Sequence, residues 1–359
     1  MTIATQAPPR ANIALAGDDH EQIVIRQDRD TGLRFIVAVH STVLGPALGG
    51  MRLKRYPGGL REALEDVMGL GRTMTLKASA AGLDLGGGKA VMIDDGRDEM
   101  RAVRLERAAR VIEGLEGAYI TAEDIGTTTA DMDHVSRFTR FAVGRSAGNG
   151  GGGDPSPVTA ETVFQAMRHG LAAATGSDEF EGRRIGVIGL GKVGSVLAAR
   201  LAAAGASVIA CDLDGERSQQ LAAEHGFETA PSAEAIVASG LDVLAPCAAG
   251  GLIGEALARA LECRVVAGAA NNPLTDRGVA RILMEREILY VPDFLANCGG
   301  LIHVSTEWYG RGGASEAQLI ARAMERLELA IETAEAEGTP PIEVAERQAL
   351  ERVEAARKR

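Results

Sequence analysis

Residues 184–194 read Arg-Ile-Gly-Val-Ile-Gly-Leu-Gly-Lys-Val-Gly, and no other stretch of the chain restricts the possible folds so sharply. An apolar, β-branched run passes directly into Gly189-x-Gly191-x-x-Gly194. A strong helix former, SVLAARLAAAG, comes next, and Asp212 closes the following apolar run twenty-three residues after Gly189. A glycine pattern alone is weak, but strand, helix and acid in this order predict a strand–turn–helix unit that binds a dinucleotide. Gly189 allows the tight turn, Gly191 a close approach of pyrophosphate, and Gly194 the packing of helix on strand. Lys192 and Val193 open the helix whose N-terminus faces the phosphates. Asp212 would accept from the ribose hydroxyls and repel a 2′-phosphate, which favours NAD over NADP. Asp214 is a rival for that role.

From residue 184 onward apolar β-rich runs alternate with helical patterns, which implies a parallel, doubly wound sheet. The 359 residues exceed what one core usually serves, so two domains are expected. The break falls at residues 147–157, where glycine and proline exclude an interior element and predict a hinge. Upstream, residues 22–27 and 34–40 read as a hairpin, residues 60–80 as a helix that delivers Lys77 into a loop, and residues 90–93 and 118–122 as strands. Residues 1–20 are expected to be poorly ordered. A long helix ends at 338–341, and a charged helix follows.

Bulk properties exclude several function classes. With 46% hydrophobic and 24% charged residues the chain has ample core material. A net charge of −11 repels phosphate backbones and argues against nucleic-acid binding. No apolar run reaches the ~18 residues of a spanning helix, and no export signal is evident, so a cytoplasmic protein with no membrane partner is expected. Cys211, Cys247, Cys263 and Cys298 lack paired spacing, and no His/Cys/Asp cluster suggests a metal. His20, His40, His134, His169 and His225 read as surface or structural groups.

The first half carries charged residues of a different kind. Gly86-Gly87-Gly88-Lys89 places a lysine behind three glycines, which favour neither helix nor strand and let the backbone pass close to another group. Lys77 lies twelve residues upstream, Gly49-Gly50-Met51-Arg52 precedes it, and Thr121-Ala122-Glu123-Asp124 follows. The lysines and Asp124 are expected in loops. A desolvated lysine near another cation loses its proton more readily and can act as a base near neutral pH.

In these segments the sequence closely resembles the leucine, valine and phenylalanine branch of the glutamate dehydrogenase superfamily. The matching stretches are HSTVLGPALGGMR, MTLKASAAGLDLGGGKAVMI, YITAEDIGTTTADMD, GDPSPVTAETVF, GVIGLGKVG, APCAAGG, AGAANN and YVPDFLANCGG, from about residue 22 to the C-terminus. The resemblance implies an α/β protein of two domains with a cleft between them. Residues 1–148 would form a substrate-binding and oligomerisation domain with a mostly β sheet, onto which a helix at about 330–359 packs back. Residues 155–330 would form a Rossmann-type NAD-binding domain. The implied reaction is reversible oxidative deamination of an L-amino acid to a 2-oxo acid and ammonium, in a homo-oligomer. Lys89 matches the lysine that activates water, and Asp124 the aspartate that exchanges a proton with the substrate nitrogen. Lys77 matches the partner of the substrate carboxylate, Gly49 and Gly50 the backbone it approaches, and Asn272 an asparagine near substrate and nicotinamide. Thr159, Asn271, Cys247 and Ala248 match cofactor contacts beside Gly189, Gly191, Lys192, Val193, Gly194 and Asp212.

Leu48, Ala122, Leu301 and Val304 match walls of the side-chain pocket. Leu48 stands where glutamate enzymes need a cation, and an unpaired buried carboxylate there would cost several kcal/mol. Leu48 and Ala122 resemble the aliphatic branch, whereas Leu301 and His303 lean toward the phenylalanine branch. The expected substrates are valine, leucine and isoleucine, with phenylalanine as the alternative. The chain departs from the family pattern at Met51 (usually threonine) and Cys298 (usually alanine), both expected near the pocket.

Overall fold

The computed structural model describes residues 19–310 and 313–358. The expectation of poor order at the start of the chain lies, through residue 18, outside the described residues. The chain divides into two compact units. One runs up to Thr75 and resumes over Leu85–Gly151, and the other comprises Leu76–Asp84 with Gly152–Arg359. The division at Gly151/Gly152 falls inside the glycine-rich stretch, which also holds a single 3-10 turn, Ala147–Asn149. Among the described residues no helix is long and apolar enough to cross a membrane.

The first unit is built on a mixed sheet of β1 (Gln22–Asp28), β2 (Leu33–Ser41), β3 (Ala47–Lys54), β4 (Gly86–Ile93) and β5 (Tyr119–Glu123), in the order β1-β2-β4-β3-β5. β1 and β2 form the expected hairpin, in register from Gln22↔Val39 to Asp28↔Leu33. β2 is antiparallel to β4, whereas β3 runs parallel to both β4 and β5. Helix α1 (Gly59–Ala80) lays Ala63 and Val67 against Ile36, Ala38, Val91 and Ile93, closing an apolar core with Tyr56. Helices α2 (Arg101–Glu113) and α3 (Thr129–Val135) complete the unit.

Two sequence expectations are corrected here. Gly86-Gly87-Gly88, read from the sequence as favouring neither helix nor strand, open β4, and Gly49-Gly50 likewise lie within β3 although glycine weakens a strand. The reason is close approach. A Cβ at Gly49 would lie 1.9 Å from the Gly88 carbonyl oxygen, and one at Gly86 1.9 Å from the Ser41 oxygen. A Cβ at Gly87 would lie 2.0 Å from the Thr75 amide nitrogen of α1. Tertiary packing overrides propensity because only a bare backbone lets these strands and α1 come together. Lys77 is also misplaced by the sequence reading: it lies in the last turn of α1, not in a loop.

The second unit holds an all-parallel sheet of β6 (Arg184–Ile188), β7 (Ser207–Cys211), β8 (Glu228–Thr229), β9 (Val243–Pro246), β10 (Val265–Val266) and β11 (Leu289–Tyr290). The order is β11-β10-β9-β6-β7-β8. The chain builds outward from β6 to β8, then crosses to the other side of β6 and builds outward again. At that reversal the carboxyl ends of β6 and β9 lie side by side, the usual ligand crevice of an open α/β sheet. The helices are α4 (Ser156–Thr175), α5 (Lys192–Ala203), α6 (Gly215–His225), α7 (Ala233–Val237), α8 (Glu255–Ala260), α9 (Gly278–Glu285), α10 (Asp293–Ala296), α11 (Gly299–Tyr309), α12 (Glu316–Glu337) and α13 (Pro341–Arg357). Gly338, with φ of 66°, ends α12 as expected. The last residues of α1 are tied into this unit. Ser79 Oγ donates to the Ala349 oxygen of α13 at 2.7 Å, and Arg326 Nε of α12 donates to the Ala80 oxygen at 2.7 Å.

Gly87→Ala tests the close approach. Its Cβ meets helix backbone, which cannot swing aside, so the substitution is expected to cost about 3 kcal/mol, the upper end of the overpacking range. A lowered urea-unfolding midpoint would report it.

Candidate active site

Strand register decides what surrounds Lys89. β3 pairs Leu48 with Gly87 and Met51 with Ala90, which sets Gly50 abreast of Lys89. Gly50 pairs with Ala122 of β5, and Lys89 with Ala38 of β2. One row across the sheet thus reads Ala38, Lys89, Gly50, Ala122, and the next holds Gly87, Leu48 and Ile120 on the same face. The small neighbours leave room for one long side chain. Lys89 is 6% exposed, and its Nζ lies 3.3 Å from Oδ1 of Asp124, the residue after β5. A Cβ at Gly50 would lie 2.7 Å from the Asp124 Cβ, so glycine there makes the space Asp124 occupies. The Asp124 amide donates to Thr127 Oγ1 at 2.9 Å, and the Thr127 hydroxyl donates to the Met51 oxygen at 2.8 Å. Lys89 was expected in a loop but is held inside β4. A rigid strand, with backbone paired on both sides, aims it more tightly than a loop could.

Burial pushes the Lys89 ammonium below the ordinary lysine range. Asp124 opposes that shift and the Arg52 cation adds to it. Burial alone would raise the Asp124 carboxyl, but the charges of Lys89 and Arg52 more than offset it and hold the group below the usual carboxylate range. The pair therefore sets an ammonium of lowered proton affinity against a carboxylate whose proton affinity is also lowered. Arg52 was quoted beside the glycines but given no role. Its Nε donates to Asp124 Oδ2 at 2.9 Å. Asp66, which carries no motif signal, accepts from Arg52 and from the Tyr56 hydroxyl.

Leu48 and Ala122 are buried on the Lys89 face, and Leu301 and Val304 are buried in α11. Met51 is also buried, but alternation turns it to the opposite face from Lys89, which removes it from the pocket neighbourhood expected for it. Cys298 is fully buried at the start of α11. His303 Nδ1 donates to Glu316 Oε2 at 2.7 Å, and a Cβ at Gly152 would lie 2.4 Å from its Nε2.

In the second unit Lys77 Nζ donates to Asn271 Oδ1 at 3.0 Å. Asn297 Nδ2 donates to the same oxygen at 3.0 Å, and the Asn272 amide donates to Asp293 Oδ2 at 2.8 Å. Tyr290 donates to the other Asp293 oxygen at 3.0 Å. These bonds hold Asn272 at φ of 48°, a left-handed position that asparagine tolerates better than most residues. Asn297 and Asp293 lie within the YVPDFLANCGG segment, yet nothing in their spacing marks them as braces.

The glycine turn fits a dinucleotide on its own geometry. Gly189 has φ of 101°, and a Cβ there would meet the Ala248 nitrogen at 2.8 Å. A Cβ at Gly194 would lie 2.0 Å from the Gly189 oxygen, so glycine there lets α5 settle on β6. Gly191 differs: a Cβ would meet nothing within 4 Å, and as N-cap of α5 it supplies no side-chain acceptor. The chain's own packing does not require glycine there. The bare backbone and the uncapped amides of α5 suit an anionic ligand instead. Asp212 Oδ2 accepts from the Leu190 amide at 2.6 Å, which turns its carboxylate to the glycine turn. Its rival Asp214 is spent capping α6 through the Arg217 amide. Thr159 donates to the Pro155 oxygen one turn back in α4 at 3.0 Å, with its Oγ1 facing Gly300.

The chain is similar to known proteins along most of its length. A family model described as Glu/Leu/Phe/Val dehydrogenase, dimerisation domain, matches residues 20–140. One described as Glutamate/Leucine/Phenylalanine/Valine dehydrogenase matches residues 212–359. The leucine dehydrogenase of Thermoactinomyces intermedius is 40% identical over 340 residues, covering 95% of this chain and 92% of the relative. The chain belongs to the glutamate/leucine/phenylalanine/valine dehydrogenase family. It is an amino-acid dehydrogenase of the leucine and valine branch. The valine dehydrogenase of Streptomyces virginiae is 42% identical, covering 94% of this dehydrogenase and 95% of that one. Among solved structures, L-tryptophan dehydrogenase from Nostoc punctiforme matches with a TM-score of 0.81 and 29% identity, over 95% of this chain and 98% of that one. A further model, D-isomer specific 2-hydroxyacid dehydrogenase, NAD binding domain, matches residues 160–246, the span that includes the glycine turn of the dehydrogenase.

The two kinds of glycine separate in a thermal melt without cofactor. Gly194→Ala should lower the midpoint by several degrees, because its Cβ meets backbone at 2.0 Å. Gly191→Ala should leave it within about a degree.

Proposed function

We propose that this dehydrogenase catalyses NAD-dependent oxidative deamination of L-amino acids with aliphatic side chains, with valine, leucine and isoleucine as substrates. The reaction takes an L-amino acid, NAD+ and water to the 2-oxo acid, ammonium, NADH and a proton. The observation that carries the reading is the buried contact of Lys89 with Asp124, which sets an amine of lowered proton affinity beside a carboxylate held below its usual range.

Lys77 pairs with the substrate carboxylate, with Asn271 fixing its ammonium, and that carboxylate approaches the backbone of Gly49 and Gly50. Asp124 accepts a proton from the substrate ammonium, freeing the nitrogen lone pair. When bound, the dinucleotide supplies the hydride acceptor for the substrate Cα. Lys89, as a neutral amine, takes a proton from the water that attacks the imine carbon, and as an ammonium it stabilises the negative charge developing on oxygen. Asp124 then returns its proton to the departing nitrogen. Gly189, Gly191, Lys192, Val193 and Gly194 hold the pyrophosphate, with Thr159, Cys247, Ala248 and Asn271 nearer the nicotinamide half and Asn272 toward the substrate. Asp212 is held below the ordinary carboxylate range: burial opposes this, and donation from Leu190 and Asp214 overcomes it. A carboxylate charged at neutral pH favours ribose hydroxyls over a phosphate, hence NAD.

The aliphatic preference is supported by Leu48, which itself offers a side-chain carboxylate no charge to pair with, and by apolar Ala122, Leu301 and Val304, all of them buried. The working form is a homo-oligomer assembled through the first unit, in keeping with the description of the family model matched there.

Two measurements check this reading. Lys89→Ala should cut kcat about a thousandfold or more while the dissociation constant for NADH changes less than threefold; turnover near the wild-type rate would exclude Lys89 as the base. In a steady-state panel, kcat/KM for valine, leucine and isoleucine with NAD should exceed that for phenylalanine by about tenfold or more, each methylene being worth ~1–3 kcal/mol. A preference for phenylalanine, or for NADP, would overturn the assignment of substrate or cofactor.

A further inference from the structure

The carboxylate of Asp124 has two oxygens, and they are committed differently. Oδ1 lies 3.3 Å from Lys89 Nζ. Oδ2 accepts from Arg52 Nε at 2.9 Å. The other end of the guanidinium is braced: Nη1 donates to Asp66 at 3.0 Å and 3.3 Å, and the Tyr56 hydroxyl donates to Asp66 Oδ2 at 2.6 Å. The side chain of Arg52 is 13% exposed and that of Asp66 26%. Four elements are linked in this way, with Asp66 on α1, Arg52 on β3, Asp124 after β5 and Lys89 on β4.

A lysine alone with a buried carboxylate tends to share both oxygens and to stay protonated, since each charge stabilises the other. Such a lysine would be a poor base. We propose that Arg52 is a positioning residue for the deamination reaction: by holding one oxygen of Asp124 and bracing itself on Asp66, it confines the contact with Lys89 to the other oxygen and keeps Lys89 able to lose its proton. The inference rests on the roles given above to Lys89 and Asp124, and adds a group that acts through them.

The surroundings leave Arg52 as the cation that acts on Lys89. From α1 the facing charge is Asp66, whose Oδ2 accepts from the Tyr56 hydroxyl at 2.6 Å, and from the residue after β5 it is the Asp124 carboxylate. On β2 the residue opposite Lys89 is Ala38, which carries no charge. Burial is the first cause of the lowered Lys89 proton affinity. Arg52 adds to the lowering, whereas Asp124 and Asp66 act against it. Removing the Arg52 charge and removing the Asp66 charge should therefore displace Lys89 in opposite directions.

The test is the pH dependence of kcat for leucine deamination in Arg52→Gln, Arg52→Lys and Asp66→Asn, with unfolding midpoints measured alongside. A neutral base is needed, so kcat rises as pH climbs through the proton affinity of Lys89. Arg52→Gln raises that affinity and should move the rising limb up by roughly one pH unit. Arg52→Lys restores the charge without the fork and should bring the limb back toward wild type while the plateau stays several-fold low. Asp66→Asn should move the limb down. If Arg52→Gln does not fold, Asp66→Asn and Arg52→Lys still decide the matter. A limb unmoved in every folded variant, or moved in one direction by both charge removals, would reduce Arg52 to a structural brace and overturn the proposal. Failure of the underlying reading is distinguishable, because it appears as retained turnover in Lys89→Ala.

Discussion

An ammonium group held largely out of water gives up its proton more easily, and the first unit is arranged so that Lys89 is buried. The row that crosses the sheet at Lys89 offers alanine, glycine and alanine as neighbours, so the long side chain lies in a space that larger residues would fill. α1 covers the same face so closely that Gly87 has no room for a Cβ. The glycines behind Lys89 thus act through packing: they bring strands and helix together until the lysine is dry. Asp124 enters the same space because Gly50 leaves it empty. The proton chemistry proposed for the pair is a consequence of how tightly bare backbone can pack.

Glycine works in two ways in this dehydrogenase. At Gly49, Gly87 and Gly194 an added Cβ would strike backbone of the protein itself, so those positions serve the fold. At Gly191 it would meet nothing within 4 Å, so the packing of the chain does not itself call for glycine there. The same residue type within one motif therefore answers to packing at one position and not at another. The open sheet adds its own constraint, since the reversal of strand order sets Cys247-Ala248 after β9 beside the turn after β6.

Much of this was legible in the sequence, for reasons that differ between the units. The second unit is regular, and alternating β-branched runs and helical patterns announce a parallel sheet. Strand β6, the glycine turn, α5 and Asp212 follow from local chemistry alone. The first unit hides β3 and the start of β4, because strand propensity reads glycine as a breaker while packing here demands it. Lys77 and Lys89 stand out through their motifs, but the elements carrying them do not: the rule that places glycine in loops has no knowledge of a neighbouring backbone oxygen that would lie 1.9 Å from an added Cβ. Arg52, Asp66, Tyr56, Asp293 and Asn297 went unassigned because their roles are contacts with residues distant in sequence, which no spacing reveals.

The central claim concerns a single ammonium group, and the chain holds only five lysines, which makes that group observable. The direct measurement is an NMR titration of side-chain nitrogen in lysine-labelled protein, with the Lys89 signal identified by its loss in Lys89→Arg. The account predicts that Lys89 loses its proton at lower pH than the other lysines, below the ~10.4 of an ordinary lysine. A Lys89 that titrates with the others, or above them, would contradict it.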